Sequence, residues 1–326
     1  MALPSCFDNL RIPVIGAPLF IISHPALVIA QCRAGVVGSF PTLNARPREQ
    51  LEEWLHEITE ALAAHDAAHS DRPAAPFACN LIVNRANLRL EEDAAILAKW
   101  KPKIVITSLG AREEINELVH SWGGIVLHDI IHDRFARKAI EKGADGLIAV
   151  AAGAGGHAGT LSPFALVQEI REWFDGPLVL SGSIANGGSI LAAQAMGADL
   201  AYIGSAFIAT EEARAMPAYK QAIVDSGASD IVYSSYFTGV HGNYLRSSIE
   251  NAGLDPDNLP ESDPTKMDFS QVTGSEAKAW KDIWGSGQGI GAVKAVQPVA
   301  ERVAQLAREY EEAKRQLAAV TGMSAS

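Results

Sequence analysis

Eight short apolar runs, separated by helix-length segments, recur along the first two thirds of the chain at about 25-residue spacing. They are Ile12–Leu19, Gly35–Phe40, Phe77–Ile82, Ile104–Thr107, Gly124–His128, Gly146–Val150, Leu178–Leu180 and Leu200–Ile203. Each is continuous in apolar character and does not alternate with polar residues, as strands do when helices cover the sheet on both faces. A doubly wound open sheet competes with a closed barrel for this pattern. Eight regular units within about 205 residues fit a (β/α)8 TIM barrel better. The joints agree: in Lys142-Gly143-Ala144-Asp145 and Met196-Gly197-Ala198-Asp199 a glycine ends a helix and the chain turns straight into the next strand. The expected architecture is α/β, a TIM barrel with a C-terminal helical extension or a small lid subdomain. Residues 1–215 with 285–326 would form the barrel and its closing helices, and 216–284 an insertion forming a lid or substrate wall.

Composition narrows the function. The 326 residues are 48% hydrophobic, enough for a large core, and carry a net charge of −11. That balance argues against nucleic acid and against an anionic membrane, both of which need a basic face. No apolar run reaches the roughly 18 residues of a membrane span, and the first residues lack a signal-peptide pattern. The three cysteines, Cys6, Cys32 and Cys79, have no metal-ligand spacing and fit buried thiols in a reducing cytoplasm. No metal site is expected.

Barrel chemistry sits at the C-terminal ends of the strands. Those ends read Ala17-Pro18-Leu19, Ser39-Phe40, Asn80, Thr107-Ser108, His128-Asp129, Gly155 to His157, Ser181-Gly182-Ser183 and Gly204-Ser205. The sixth is the most unusual. After the strand 146–150 the chain runs Ala151-Ala152-Gly153-Ala154-Gly155-Gly156-His157-Ala158-Gly159. Nearly devoid of side chains, it lets the backbone lie against a flat ligand. His157 is its sole group able to move a proton near neutral pH; a flexible loop with an incidental histidine is the plain alternative. The seventh and eighth ends, Ser181 to Gly188 and Gly204-Ser205, occupy the places where barrels often bind phosphate through backbone amides and a helix end. Two serine-capped turns are the alternative there. A phosphate at that side and a glycine wall at strand six suit flavin mononucleotide, its ring near Ala17-Pro18-Leu19 and Asn80. Gly285 to Gly291 looks nucleotide-like but follows no strand, so it does not read as a dinucleotide fingerprint.

These residues are similar to a known family. Pro13-x-x-Gly16-Ala17-Pro18, Asn80, Gly155-Gly156-His157-x-Gly159, Ser181-Gly182-Ser183, Gly204-Ser205 and the late Gly287-Gln288-Gly289 together resemble the nitronate monooxygenases, formerly 2-nitropropane dioxygenases. The resemblance spans about residues 12–295 and implies an FMN-dependent barrel that oxidises alkyl nitronates, propionate 3-nitronate among the candidates, with O2 to a carbonyl compound and nitrite. It implies His157 as catalytic base, and Ala17, Pro18, Leu19, Asn80, His128, Ala154, Gly155, Gly156, Ser181, Gly182, Ser183, Gly204 and Ser205 as cofactor contacts. A nitronate that arrives already ionised would instead use the imidazole for orientation or charge stabilisation. Flavin-type enoyl-acyl-carrier-protein reductases and NAD(P)H:quinone reductases share nearly the same loops, so a reductase is the first alternative. A non-catalytic flavin- or phosphate-binding barrel is the second. Where family members often carry a basic residue after strand five, this chain has His128-Asp129.

A second cluster, Tyr236, Phe237, His241, Asn243, Tyr244 and Arg246, reads as a lid or substrate wall, with Phe237, His241 and Tyr244 as candidate substrate contacts. Packing of aromatics into the barrel top is the competing reading. Trp280 and Trp284 read as packing residues, and the run Glu301 to Gln316 as a solvated helical face that could also pair two copies as a homodimer.

Overall fold

The computed structural model describes residues 3–261 and 282–322. Eight strands run parallel: β1 (Val14–Gly16), β2 (Gly38–Pro41), β3 (Phe77–Ile82), β4 (Ile104–Ser108), β5 (Ile125–Ile130), β6 (Gly146–Val150), β8 (Leu178–Ser181) and β9 (Leu200–Ile203). Their order is β1-β9-β8-β6-β5-β4-β3-β2, and a parallel bridge between Ile15 and Val37 joins the two ends. The sheet is therefore a closed barrel, as its eight apolar runs require.

Strand register sorts the side chains into two layers. Ile15, Val37, Ala78, Ile106, Leu127, Ile148, Val179 and Tyr202 share one cluster inside the barrel. The alternate residues Cys79, Val105, Val126, Leu147 and Leu180 pack outward against the helices. The N-terminal turn Ser5–Phe7 adds Phe7 to the inner cluster and plugs the end opposite the strand C-termini. Two steps beyond each inner residue, toward the mouth, stand Ala17, Ser39, Asn80, Ser108, Asp129, Val150, Ser181 and Gly204. Five of these eight are polar, so an apolar layer gives way to a mixed one.

Helix bounds follow local chemistry. Gly35 and Gly197 end α1 (Pro25–Ala34) and α7 (Gly187–Met196) with left-handed φ of 93° and 110°. The sequence pattern reads as a helix from about Pro47 to Ala64 with Asn44 as a candidate cap; the second helix, α2, instead runs from Gln50 to Ala68. Asn44 does not cap it. Its amide receives Ile21 N–H at 2.8 Å and donates to Leu19 O and Ser23 O at 2.9 Å each, tying down the loop after β1.

A second, three-stranded sheet stands above the mouth. It consists of β10 (Ile231–Ser234), β11 (Gly242–Leu245) and the two-residue β7 (Gly156–His157), in antiparallel order β10-β11-β7. The aromatic stretch 233–258 is thus a hairpin followed by the short helix α10 (Arg246–Asn251). The chain closes with a long helix, Val299–Thr321, packed on α1 and α7. Trp284 is buried and stacks on Tyr219 at 4.9 Å, as expected of a packing residue. Trp280 lies outside the described residues. No described helix is long and apolar enough to cross a membrane.

Candidate active site

A cavity of about 650 Å³ opens at the strand C-termini. Small-molecule sites span about 300–1,000 Å³. Ala17, Pro18, Leu19, Asn80, His128, Ala154, Gly155, Gly156, His157, Ser181, Gly182, Ser183, Gly204 and Ser205 all border it. The residues singled out along 190 positions of chain therefore converge on one surface.

Backbone contact explains the glycines. A Cβ on Gly153 would stand 2.1 Å from Ser183 Oγ, one on Gly287 2.6 Å from Gly153 O, and one on Gly289 2.8 Å from the Ser183 carbonyl. Three loops thus lie on one another with no room for side chains. Gly153 O accepts from Gln288 N at 2.9 Å, and Gly287 N donates to Ser205 Oγ at 2.9 Å. The segment 285–291 is therefore the back wall of the loops after β8 and β9. Its glycines serve close approach, which is why they lack a preceding strand. Gly182 (φ 133°) and Ser183 (φ 57°) lie in the left-handed region, and the Ser183 N–H donates to Gly153 O at 3.3 Å.

The helix end next to these loops differs from expectation. The first turn of α7 is capped by Asn186 and Ser189, and its Gly187 N–H donates to Glu309 Oε2 of the C-terminal helix at 2.9 Å. A carboxylate of the chain itself takes up that positive end. For an anion in the cavity, the remaining donors are the Ser181–Ser183 turn and the single helical turn Ser205–Ile208.

His157 is held by the upper sheet. Its residue pairs with Gly242, Gly156 with Asn243, and Ala158 N donates to His241 O at 3.3 Å. Asn243 Nδ2 reaches back to Ala154 O at 2.7 Å. The imidazole Nε2 lies 2.9 Å from Thr238 Oγ1, and desolvation lowers its pKa from 6.5 to about 4. It is a neutral imidazole at pH 7. The flexible-loop reading does not survive this pairing.

Phe237, His241 and Tyr244 do not border the cavity. Tyr244 is buried with Ile249 and Ile283, Phe237 packs on its edge at 5.0 Å, and His241 stacks on Tyr233 at 5.1 Å. The hairpin turns Tyr244 and Phe237 inward to make its own small core, His241 stays exposed, and Val240 reaches the cavity instead. A hairpin with a core behind it needs its large side chains there.

The floor holds Ser108, His128, Asp129 and Tyr202, the first three of them residues of the strand ends read from the sequence. His128 shares the outward register of Val126 and Ile130, and its Nδ1 lies 2.6 Å from Thr107 Oγ1. Burial lowers its pKa to about 4. Asp129, one residue on, follows the inward register of Leu127. Ser108 Oγ donates to Asp129 Oδ2 at 2.5 Å and receives Asn80 Nδ2 at 2.7 Å. Asp129 Oδ1 and the Tyr202 hydroxyl are buried with no hydrogen-bond partner among the described residues. Burial pushes the Asp129 carboxyl up to about 7, and burial with the nearby Asp129 keeps Tyr202 a neutral phenol. The two-residue period, counted from Leu127, gives the strand-end Asp129 its inward direction. No cluster of metal-binding side chains exists among the described residues.

Comparison with known proteins agrees with this geometry. The family model for nitronate monooxygenase matches residues 7–309. A nitronate monooxygenase of Paraburkholderia phytofirmans is 28% identical over 94% of this chain and 94% of its own length. Among solved structures, FabK from Thermotoga maritima superposes with a TM-score of 0.78 at 22% identity, covering 96% of this chain and 97% of its own. Nitroalkane oxidase from Streptomyces ansochromogenes does so with a TM-score of 0.78 at 23% identity, covering 96% of this chain and all (100%) of its own. These two likenesses show the barrel fold. The family match spans nearly all of the barrel and both loops of the mouth, and the chain belongs to the nitronate monooxygenase family of flavin-dependent oxidoreductases.

Proposed function

We propose that this chain binds FMN across the barrel mouth and oxidises alkyl nitronates with dioxygen, giving a carbonyl compound and nitrite. The observation that carries the reading is the three-loop cradle. Backbone of 153–155, 181–183 and 287–289 meets so closely that added Cβ atoms would collide, and one imidazole is pinned beside it. The residues fit such a group. The cavity is large enough, its phosphate side is made of amides and hydroxyls, and unsatisfied polar atoms of Asp129 and Tyr202 lie in its floor. Ser181, Gly182, Ser183, Gly204 and Ser205 would hold the phosphate. Ala17, Pro18, Leu19, Asn80, Ala154, Gly155 and Gly156 would flank the ring.

When bound, FMN supplies the electron-transfer chemistry and the reaction with dioxygen. The chain positions the substrate and handles its proton. His157, neutral at pH 7, would accept the α-proton of a nitroalkane, within hydrogen-bond reach of the bound substrate. With a nitronate, an anion beside the imidazole raises its proton affinity, so the same side chain would bind the developing charge. Residues 216–261 with 282–284 act in this reading as a cover over His157 and not as a substrate wall of aromatic rings.

Visible absorption of the purified protein, followed by anaerobic mixing with alkyl nitronates or NAD(P)H, tests the reading. Bleaching of a bound flavin by a nitronate, and not by NAD(P)H, is the expected result. Rapid bleaching by NADH with no response to nitronates would move the chain to the reductase alternative. A colourless protein that takes up no FMN would leave only a phosphate-binding barrel.

A further inference from the structure

We propose that Lys138 is a specificity-determining residue, whose ammonium receives an anionic group at the far end of an apolar substrate tail running from His157 over Ile131 and Phe135. This role deepens the nitronate oxidation proposed above by naming the class of substrate, and it rests on that reading for its catalytic meaning.

The cavity is not confined to the strand ends. Ile131, in the loop after β5, and Phe135 and Lys138, on the helix α5 (Asp133–Glu141), border it together with Ala158. This arm starts beside the imidazole. Ala158 follows His157 in the chain, and a Cβ on Gly159 would stand 3.0 Å from the Ile131 Cβ, so the loops after β5 and β6 lie on one another there. From Ile131 the wall continues along α5. Phe135 and Lys138 are three residues apart and share one face of that helix. Helical side chains lean toward the helix N-terminus, which carries the lysine stem toward the mouth. At a rise of about 1.5 Å per residue, the step from Ile131 to Lys138 is on the order of 10 Å.

Two features of this arm have no use in the fold alone. Ile131 is 38% and Phe135 45% exposed, although His132 already covers one face of the Phe135 ring at 3.9 Å. Single exposed apolar side chains are ordinary, but two in succession along one cavity wall form a surface that an apolar ligand would cover. Lys138 is also the sole lysine or arginine bordering the cavity among the described residues. Arg137 and Lys142 beside it are ion-paired to Asp133 and Glu113, whereas Lys138 has no carboxylate partner among the described residues. Asp129, the carboxyl of the cavity floor, is engaged by the Ser108 hydroxyl, and its proton affinity shows no influence of Lys138, which places the ammonium out at the rim. An apolar wall that ends in one cation fits an amphiphilic acid. Its methylenes would cover Ile131 and Phe135, and the lysine stem would pack beside them while the ammonium meets the anion. An acid of only a few carbons is too short to reach from His157 to Lys138.

The test uses the flavin-loaded, full-length protein and primary alkyl nitronates of graded length, each with and without a terminal carboxylate. The ratio of kcat/KM for acid over neutral substrate is read within each protein, so that differences in flavin content cancel. For tails of about eight carbons the wild-type ratio should favour the acid by about 3- to 10-fold, mainly through KM, and should shrink in high salt. For the shortest tails it should be near 1. Lys138→Met, which keeps an apolar stem, should bring the long-tail ratio to about 1, and Lys138→Arg should keep it in favour of the acid. Binding gives a second readout. In titration calorimetry octanoate should bind the wild type more tightly than 1-octanol does, and should lose that advantage in Lys138→Met. Equal acid preference in wild type and Lys138→Met, by either measure, overturns the proposal, and so does a preference as large for the shortest tail as for the longest. If no nitronate bleaches the flavin, the oxidation reading itself fails, and the octanoate titration alone decides whether Lys138 holds an anion.

Discussion

Replacing Asp129 by Asn should stabilise the protein at alkaline pH and change little in acid. Asp129 sits on the inward face of β5, with Oδ2 receiving the Ser108 hydroxyl at 2.5 Å and Oδ1 buried without a partner among the described residues. Desolvation outweighs that hydrogen bond and pushes its pKa from 3.8 to about 7. The sign follows from the raised value. Below pH 3.8 the carboxyl is protonated in both folded and unfolded chains and imposes no penalty. Between 3.8 and 7 the unfolded chain releases its proton freely while the folded chain holds it, so stability falls as pH rises. Above 7 both are ionised and the full penalty is present. A gap of about three pH units at about 1.4 kcal/mol each sets a ceiling of about 4 kcal/mol. Water in the open cavity lowers this to an expected 2–4 kcal/mol. Asn keeps the acceptor for Ser108 and cannot ionise. Urea unfolding of both proteins at pH 4.5 and 8.5, with matched flavin content, measures the effect as the change in their stability difference. Parallel stability profiles across that range would show that the carboxyl is not held protonated and would refute the reasoning.

The acid side has the opposite sign. His128 has its pKa lowered from 6.5 to about 4, so the stability it confers is complete above pH 6.5 and lost as pH falls through 4. His128→Gln should flatten the acid limb of a stability–pH profile by about 2–3 kcal/mol, read by urea unfolding at pH 4 and 7. Gly153→Ala should cost about 1–3 kcal/mol and empty the flavin site, because its φ is 84° and its Cβ would meet Ser183 Oγ. The melting temperature and the flavin-to-protein absorbance ratio should fall together. Asn243→Ala should cost about 1–2 kcal/mol by removing the bond to Ala154 O, and should raise hydrogen exchange in 153–158 before elsewhere.

The barrel was legible because each of its strands is a continuous apolar run and several joints, such as those at Gly143 and Gly197, carry a helix-ending glycine, both local signals. The mouth was legible for a related reason. Small polar residues at strand ends have no structural purpose in a plain core, so Asn80, Ser181 and Ser205 stand out against their strands. What stayed hidden depends on contacts distant in sequence. Asn44 looks like a helix cap until Leu19 and Ser23 are brought to it. Glu309 looks like one solvated acid in a charged helix until that helix lies on α7. Phe237 and Tyr244 read as well for a substrate wall as for a hairpin core, since composition alone does not give the side to which a ring points.

Asp129 joins the two kinds of information. Its place at a strand end is local, but its meaning comes from register: with Leu127 inside the barrel, Asp129 shares the inward face, while His128 has the outward register of Val126 and Ile130 and borders the cavity from the strand end. The family often has a cation after this strand, and here a half-protonated carboxyl and a neutral phenol occupy the floor. With Glu309 on the α7 terminus and a neutral His157, an anion entering the cavity meets no formal positive charge from these groups. Backbone amides and hydroxyls then act beside the Lys138 ammonium, which borders the cavity. Such donors are fixed in place and carry no proton to lose near neutrality, so anion binding should weaken above pH 7 with the ionisation of Asp129 and lose that dependence in Asp129→Asn. FMN dissociation constants for both proteins at pH 6 and 8.5, from fluorescence quenching, decide the matter. A wild-type constant that is flat across that range would mean that the carboxyl charge is not felt at the ligand.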